Sequence, residues 1–565
     1  MPHPGTPSSQ KPPTSRFLES LDRRRFLEVS GVGAVALVLG TAPFTGRTTP
    51  AARLGKDPFT LGVTSGDPLP SSVVLWTRLA PEPLDGEHGG MPDAAVEVEW
   101  ELAEDERFAK IVRRGTELAR PDLGHSVHVE AGGLRAGREY YYRFRAGSHL
   151  SPVGRTKTAL ARSALNAGLT FAFASCQQFE HGYFTAYRHM ADEDLDLIVH
   201  LGDYIYEYGT DEYTAPGGNV RHHVGPEITT LADYRRRHAQ YRGDADLRAA
   251  HAHAPWIVTW DDHEVENNYA AAISENRGED PEVFLRRRAA AYQAYYEHMP
   301  LRRSSMPKGP DMRLYRRFSY GRLAEFSVLD TRQYRSDQAA DDGIKPPGDE
   351  QADPARSLMG RRQERWLTDG LSASDARWNI LAQQVFFARL DFTPGEGETF
   401  NMDAWDGYLA NRERLLEHID RRGVRNPVVL TGDVHASWAS EVAAEPRGRN
   451  LATEFVGTSI TSGGDGSDVR AETPALLAEN PHIKFFNNYR GYVRCTVTPE
   501  TYRADYRVVP YVKTPGAPIV TRASFEVADG RPALEHVGGS PVKSGAETVT
   551  HREHDRIATQ RDLAG

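Results

Sequence analysis

Residues 197–206 read LIVHLGDYIY, an apolar run that ends in Gly202-Asp203-Tyr204-Ile205-Tyr206. A strand buried on both faces reads as such a continuous run, because helices cover both sides of a parallel sheet. Three further stretches repeat the pattern. LTFAFA leads into Ser175-Cys176-Gln177, WIVTW into Asp261-Asp262-His263-Glu264, and VVLT into Gly432-Asp433-Val434-His435. In open α/β sheets the ligand crevice lies outside the carboxyl ends of the strands. The pattern therefore predicts an α/β domain in which distant segments deliver Cys, Asp, Tyr and His to one point, as a metal site requires.

The chain has 565 residues, too many for one ordinary core, so two or three domains are expected. Its 39% hydrophobic and 26% charged residues are those of a globular protein, and a net charge of −10 argues against a stable nucleic-acid complex. With only Cys176 and Cys495, a disulfide framework is excluded, although one bridge between the two is open. Cys495, within YVRCTV, reads as a strand residue.

Residues 1–54 read as a disordered head and a signal peptide. Arg23-Arg24-Arg25-Phe26-Leu27 precedes a short apolar stretch from Val29 to Leu39, similar to a twin-arginine export signal. Cleavage is expected between Ala42 and Leu54, with the twin-arginine export machinery as a partner and a secreted or extracytoplasmic location. No later apolar stretch is long enough for a transmembrane anchor.

Residues 55–160 alternate apolar and polar positions between turn residues, which predicts a β-sandwich. Leu134, Gly137 and Tyr140-Tyr141-Tyr142 resemble the hairpin corner of fibronectin-type modules. From 168 to 512 apolar runs alternate with amphipathic patterns over 232–254 and 281–299, as crossover helices of an α/β domain do. Gly/Pro-rich loops at 209–225 and 337–354 are placed to line the site. Residues 513–565 read as a partly flexible C-terminal extension.

The donor types suggest which cations are held. Asp203 can bridge two of them, and a phenolate at Tyr206 suits a hard, trivalent, redox-capable ion. With thiolate from Cys176 and imidazole from His435, the set favours Fe(III) over zinc. Asp262, Asp433 and an amide at Asn267 or its neighbour Asn268 form an oxygen-rich side that suits Ca²⁺, with Mn²⁺ or Mg²⁺ as substitutes. Arg332 and Arg490 are candidate phosphate clamps. Any one of these residues alone reads more simply as a turn former, a core tyrosine or a structural histidine; four such motifs at four strand ends do not.

The motifs also carry a resemblance. Asp203-x-x-Tyr206 resembles an element of purple acid phosphatases. Asp261-Asp262-His263-Glu264 is similar to the Gly-Asn-His-Glu element of metallophosphoesterases, and Gly432-Asp433-Val434-His435 to their Gly-His-x-His element, with Asp in place of Asn and of the first His. Together with Ser175-Cys176-Gln177, the signal and the sandwich, the chain resembles the PhoD-like secreted alkaline phosphatases and phosphodiesterases. The resemblance implies a metallophosphoesterase-type αββα sandwich behind a fibronectin/Ig-like β-sandwich. It implies iron held by Cys176, Asp203, Tyr206 and His435. Calcium would then be held by Asp203, Asp262, Asp433 and Asn267. The expected activity is hydrolysis of phosphate esters by a hydroxide that the cations activate, with His263 stabilising the transition state or protonating the leaving group. A phospholipase D-type phosphodiesterase acting on phospholipids is the alternative within that chemistry. A secreted binding module with a structural metal is the alternative outside it.

Overall fold

In a computed structural model, residues 54–85, 88–165, 168–444 and 448–540 are described. The signal segment and the last residues of the C-terminal extension lie outside them. Two sheets form the centre of the molecule. The first has ten strands, with Leu169–Ala174, Leu197–His200 and Pro255–Val258 side by side and parallel at its middle. The second has seven, with Ala324–Val328, Trp378–Ala382, Pro427–Thr431 and Asn450–Val456 parallel at its middle.

Successive side chains of a strand point to opposite faces, and both faces of these strands are buried. Phe171, Phe173, Leu197 and Val199 point inward to meet Phe326, Ile380, Val428 and Phe455 of the second sheet. Ala172, Ala174, Ile198 and Trp256 point outward, under the helices Thr185–Ala191, Leu231–Arg242, Ala245–His253 and Pro281–His298. On the other side, Leu381, Val429 and Val456 pack beneath the helices Gly360–Ala373, Leu409–Arg422 and Thr473–Glu479. The layers therefore run helix, sheet, sheet, helix. The helical pattern expected over 232–254 is two helices, because Asp244 caps a new start and accepts from the amides of Asp246 and Leu247.

The N-terminal strands are arranged in two layers over a common core that includes Val73, Leu75, Val98, Leu102, Tyr142 and Phe144. At the expected fibronectin-like corner, the Tyr140 hydroxyl accepts from the backbone amide of Arg135 at 2.9 Å. One layer is not closed on itself. Val63–Leu69 pairs in parallel with Pro255–Val258, so that Val63–Leu69, Ser72–Arg78 and Ser126–Gly132 continue the ten-stranded sheet. At its other end the same sheet runs past residue 512, taking in Val520–Ala528 and Glu535–Gly538. Backbone pairing thus crosses both of the expected domain boundaries.

That continuity has a measurable consequence. A chain beginning at Leu169 would uncover the edge of Pro255–Val258 and the ring of Tyr296, on which His128 stacks at 4.4 Å. Such a truncated chain is expected to be recovered aggregated or unfolded, as read by solubility and circular dichroism, whereas independent modules would leave it folded.

Candidate metal centre

The four motifs meet at the carboxyl ends of their strands. The amide of Cys176 donates to the carbonyl of Gly202, and that of Gln177 to the carbonyl of Asp203, each at 3.1 Å. Ser175 bridges to Ser459 and so ties the end of the first sheet to the second. Two glycines mark the crossings. A Cβ on Gly202, whose φ is +112°, would lie 2.5 Å from Asp261, and one on Gly432 would lie 2.8 Å from Ser175. Only glycine lets these strand ends approach so closely.

The backbone is strained where the donors sit. Cys176, Asp203, Asp433 and His435 have φ of 58°, 55°, 62° and 52°, a left-handed conformation that non-glycine residues seldom adopt. Such strain persists only where the surroundings over-determine it, and it clusters at functional sites. Glu264 supplies part of that determination. Its buried carboxylate accepts the amides of Tyr204 at 2.6 Å, Asp261 at 2.8 Å and Asp203 at 3.1 Å.

Two clusters share Asp203. Ligand atoms of Cys176, Asp203 and His435 lie within 4.8 Å of one another, as do those of Asp203, Asp262 and His263. The Tyr206 hydroxyl joins the first, 3.1 Å from Asp203 Oδ2, 3.3 Å from His435 Nε2 and 2.7 Å from Ser462 Oγ. Asp203 Oδ1, Asp262 Oδ1, Asp433 Oδ1 and His435 Nδ1 are all buried and make no hydrogen bond. Buried polar atoms are normally satisfied, so four orphans on the residues of these motifs fit cation ligands.

The electrostatics agree. Burial, reinforced by Asp203 and neighbouring acids, pushes the Cys176 thiol and the Tyr206 phenol well above their ordinary ranges. Burial does the same to the Asp203 and Asp433 carboxyls, and burial with Arg490 nearby holds His435 neutral. A bound cation would reverse that balance, because it would stabilise the deprotonated ligands. Both cysteines are free thiols, so no bridge joins Cys176 to Cys495.

Three expected residues are placed differently. Asn267 turns its amide to Glu275 at 3.2 Å, whereas the next residue, Asn268, donates its backbone N–H to Asp262 Oδ2 at 2.7 Å. Arg332 is no free clamp. Fully buried, it binds Asp261 through Nε at 2.5 Å and Asp403 through Nη1 at 2.9 Å, and its Nη2 lies 3.6 Å from Asp262. Arg335 shares Asp403. Arg490 donates to the carbonyls of Gly464, at 2.7 Å, and of His435, which braces the strained turn at His435. His263 does reach the site: Nδ1 lies 2.7 Å from Glu207, and its ring stacks on Tyr206 at 4.2 Å.

Glu207, Asp403 and Ser462 were not expected. Glu207 follows Tyr206 directly and was readable as part of that motif. Asp403 follows no apolar run that would mark it, and Ser462 lies a few residues beyond the strand Asn450–Val456.

With the geometry in place, comparison decides the family. The description "PhoD-like phosphatase" matches residues 171–506, and its N-terminal domain matches residues 45–160. The chain belongs to the PhoD-like phosphatase family. It is 58% identical over 544 residues to alkaline phosphatase D of Bacillus subtilis (strain 168), covering 95% of this chain and 93% of that protein. A solved structure described as PhoD superposes with a TM-score of 0.88 at 59% identity, over 91% of this chain and 98% of that one. The chain is thus a phosphoric ester hydrolase, and residue clusters able to hold metal ions stand at the ends of its central strands.

Arg332 offers a direct test of its placement. Arg332→Met would strand Asp261 and Asp403 as buried, poorly compensated charges, at a cost of about 3–5 kcal/mol. Urea unfolding of the metal-loaded variant is expected to show that loss. A phosphate clamp would instead leave stability unchanged and raise KM.

Proposed function

We propose that this is an exported, metal-dependent phosphatase and phosphodiesterase that releases phosphate from small esters, with Fe(III) and Ca²⁺ as its cations. The observation that carries the reading is the convergence of orphaned, buried donor atoms around the Asp203 carboxylate. Cys176, Asp203, Tyr206 and His435 would hold the iron, since thiolate, phenolate and imidazole suit it. Asp203, Asp262 and Asp433 would hold calcium, with Asn268 rather than Asn267 beside them. Bound there, the cations supply Lewis-acid polarisation of a phosphoryl oxygen and acidification of water.

The remaining chemistry belongs to the chain. Glu207 accepts a proton-bearing Nδ1 from His263, which leaves Nε2 to serve the substrate. Despite burial, Glu207, Asp262 and Asp203 favour the protonated imidazole. We assign His263 as the proton donor to the leaving alcohol. Arg332 and Arg335 fix Asp261 and Asp403 behind the ligand carboxylates, so those carboxylates do not move as charge develops. Tyr208 and Tyr213, 5.4 Å apart with Tyr208 5.5 Å from His263, give the leaving group an aromatic wall. Among the described residues no helix is long and apolar enough to cross a membrane. Export would rest on the twin-arginine element in the first 54 residues.

Two measurements test this. Metal analysis and an absorbance scan of the mature protein are expected to give about one iron per chain and a visible tyrosinate band, with Ca²⁺-dependent hydrolysis of a bis-aryl phosphate. Tyr206→Phe is expected to lose the band. No iron and no turnover with any divalent ion would overturn the reading. His263→Asn is expected to lower kcat about 10²–10⁴-fold on alkyl esters. On esters whose leaving group needs no proton, the loss should be much smaller.

A further inference from the structure

Away from the metal centre, unpartnered buried groups gather where the N-terminal strands meet the first helical layer. His238 and Arg242 lie four residues apart on the helix Leu231–Arg242, hence on one face. Both are fully buried. Neither ring nitrogen of His238 has a hydrogen-bond partner, nor have Nε and Nη1 of Arg242. Arg242 keeps a long contact from Nη2 to the carbonyl of His298, 3.4 Å, and its guanidinium lies 4.4 Å over Trp76.

The neighbours make the region cationic. His298 stacks on His238 at 4.8 Å. The His298 Nδ1 donates to the carbonyl of Ala294, so Nε2 accepts from Arg78 Nη1 at 2.8 Å. Arg78 is itself buried. One carboxylate is near, that of Glu297, and Arg235 holds both of its oxygens at 2.7 Å. Burial opposes the charge on Arg242 and Arg248 adds to that opposition, whereas Tyr204, by charge and hydrogen bond, and Tyr142 favour it. A buried guanidinium without a counter-charge is costly, and buried charges are normally paired. Water would satisfy the donors and leave the charge.

We propose that this nest, formed by Arg242, His238 and the adjacent Arg78–His298 pair, binds a small monovalent anion of halide size. Its donors come from both sides of the junction, so the anion ties the N-terminal strands to the helical layer. It also touches the metal site at one remove. Tyr204, whose ring stacks 6.0 Å from His238, is the residue after Asp203. The assignment is independent of which cations the metal centre holds.

Crystals of the mature protein soaked in sodium bromide and measured at the bromine edge test it. The expected result is an anomalous peak within hydrogen-bonding distance of Arg242 Nε or Nη1 and of His238. In solution, bromide is expected to raise the Tm saturably at constant ionic strength, while a bulky organic anion does not. Arg242→Met should abolish that increment. Should Arg242→Met fail to fold, His238→Leu should weaken bromide binding several-fold. Absence of the peak, with only water in the nest, would overturn the assignment, and so would a bromide effect that survives in a folded Arg242→Met.

Discussion

The Glu264 carboxylate holds the metal centre in shape. Three backbone N–H groups from two strand ends converge on it, and with both oxygens engaged neither strand end can relax alone. Asp203 needs this support because its left-handed backbone is what brings one carboxylate within reach of two ligand clusters. Burial pushes the Glu264 carboxyl up to about 8, and the three backbone N–H bonds it accepts work against that rise. The same device recurs at Glu207, which accepts His263 Nδ1 with one oxygen and the amide of Asn267 with the other.

Around that anchor, repulsion is managed in two stages. Asp403 is answered by guanidinium groups from within the chain, Arg332 and Arg335, and Asp261 by Arg332 through one oxygen. Asp203 and Asp433 each keep an oxygen without any partner. The arginine pairing distinguishes Asp261 and Asp403 from Asp203 and Asp433, although Asp261 Oδ2 is likewise without a partner. It also explains why arginine stands at 332, since only a planar fork can span two carboxylates at once.

The strand-end motifs were legible because a strand buried on both faces leaves an unbroken apolar run, and chemistry follows it at a fixed point. That was enough to single out Cys176, Asp203, Tyr206, Asp262, His263, Asp433 and His435 as candidates. What escaped depended on facing directions and distant partners. Asn267 and Asn268 are adjacent, and only the turn decides which meets Asp262. Arg332 looked like a clamp because its partner Asp403 lies in a loop that no periodicity marks. The continuity of the ten-stranded sheet was hidden as well, since parallel pairing of Val63–Leu69 with Pro255–Val258 has no local signature.

The order of strands in that sheet bears on how the chain comes off the ribosome. Leu169–Ala174, which delivers Cys176, lies between Leu197–His200 and the antiparallel strand Arg490–Val497. One neighbour is made almost at once; the other follows some three hundred residues later. Until it arrives, the strand next to the first metal ligand has an open edge, and Phe171 and Phe173 lack part of their cover. Contacts this distant in sequence form late and slowly. The metal centre is therefore completed only after nearly the whole chain has been synthesised, and during that interval the nascent protein has both a free thiol and a bare sheet edge to protect.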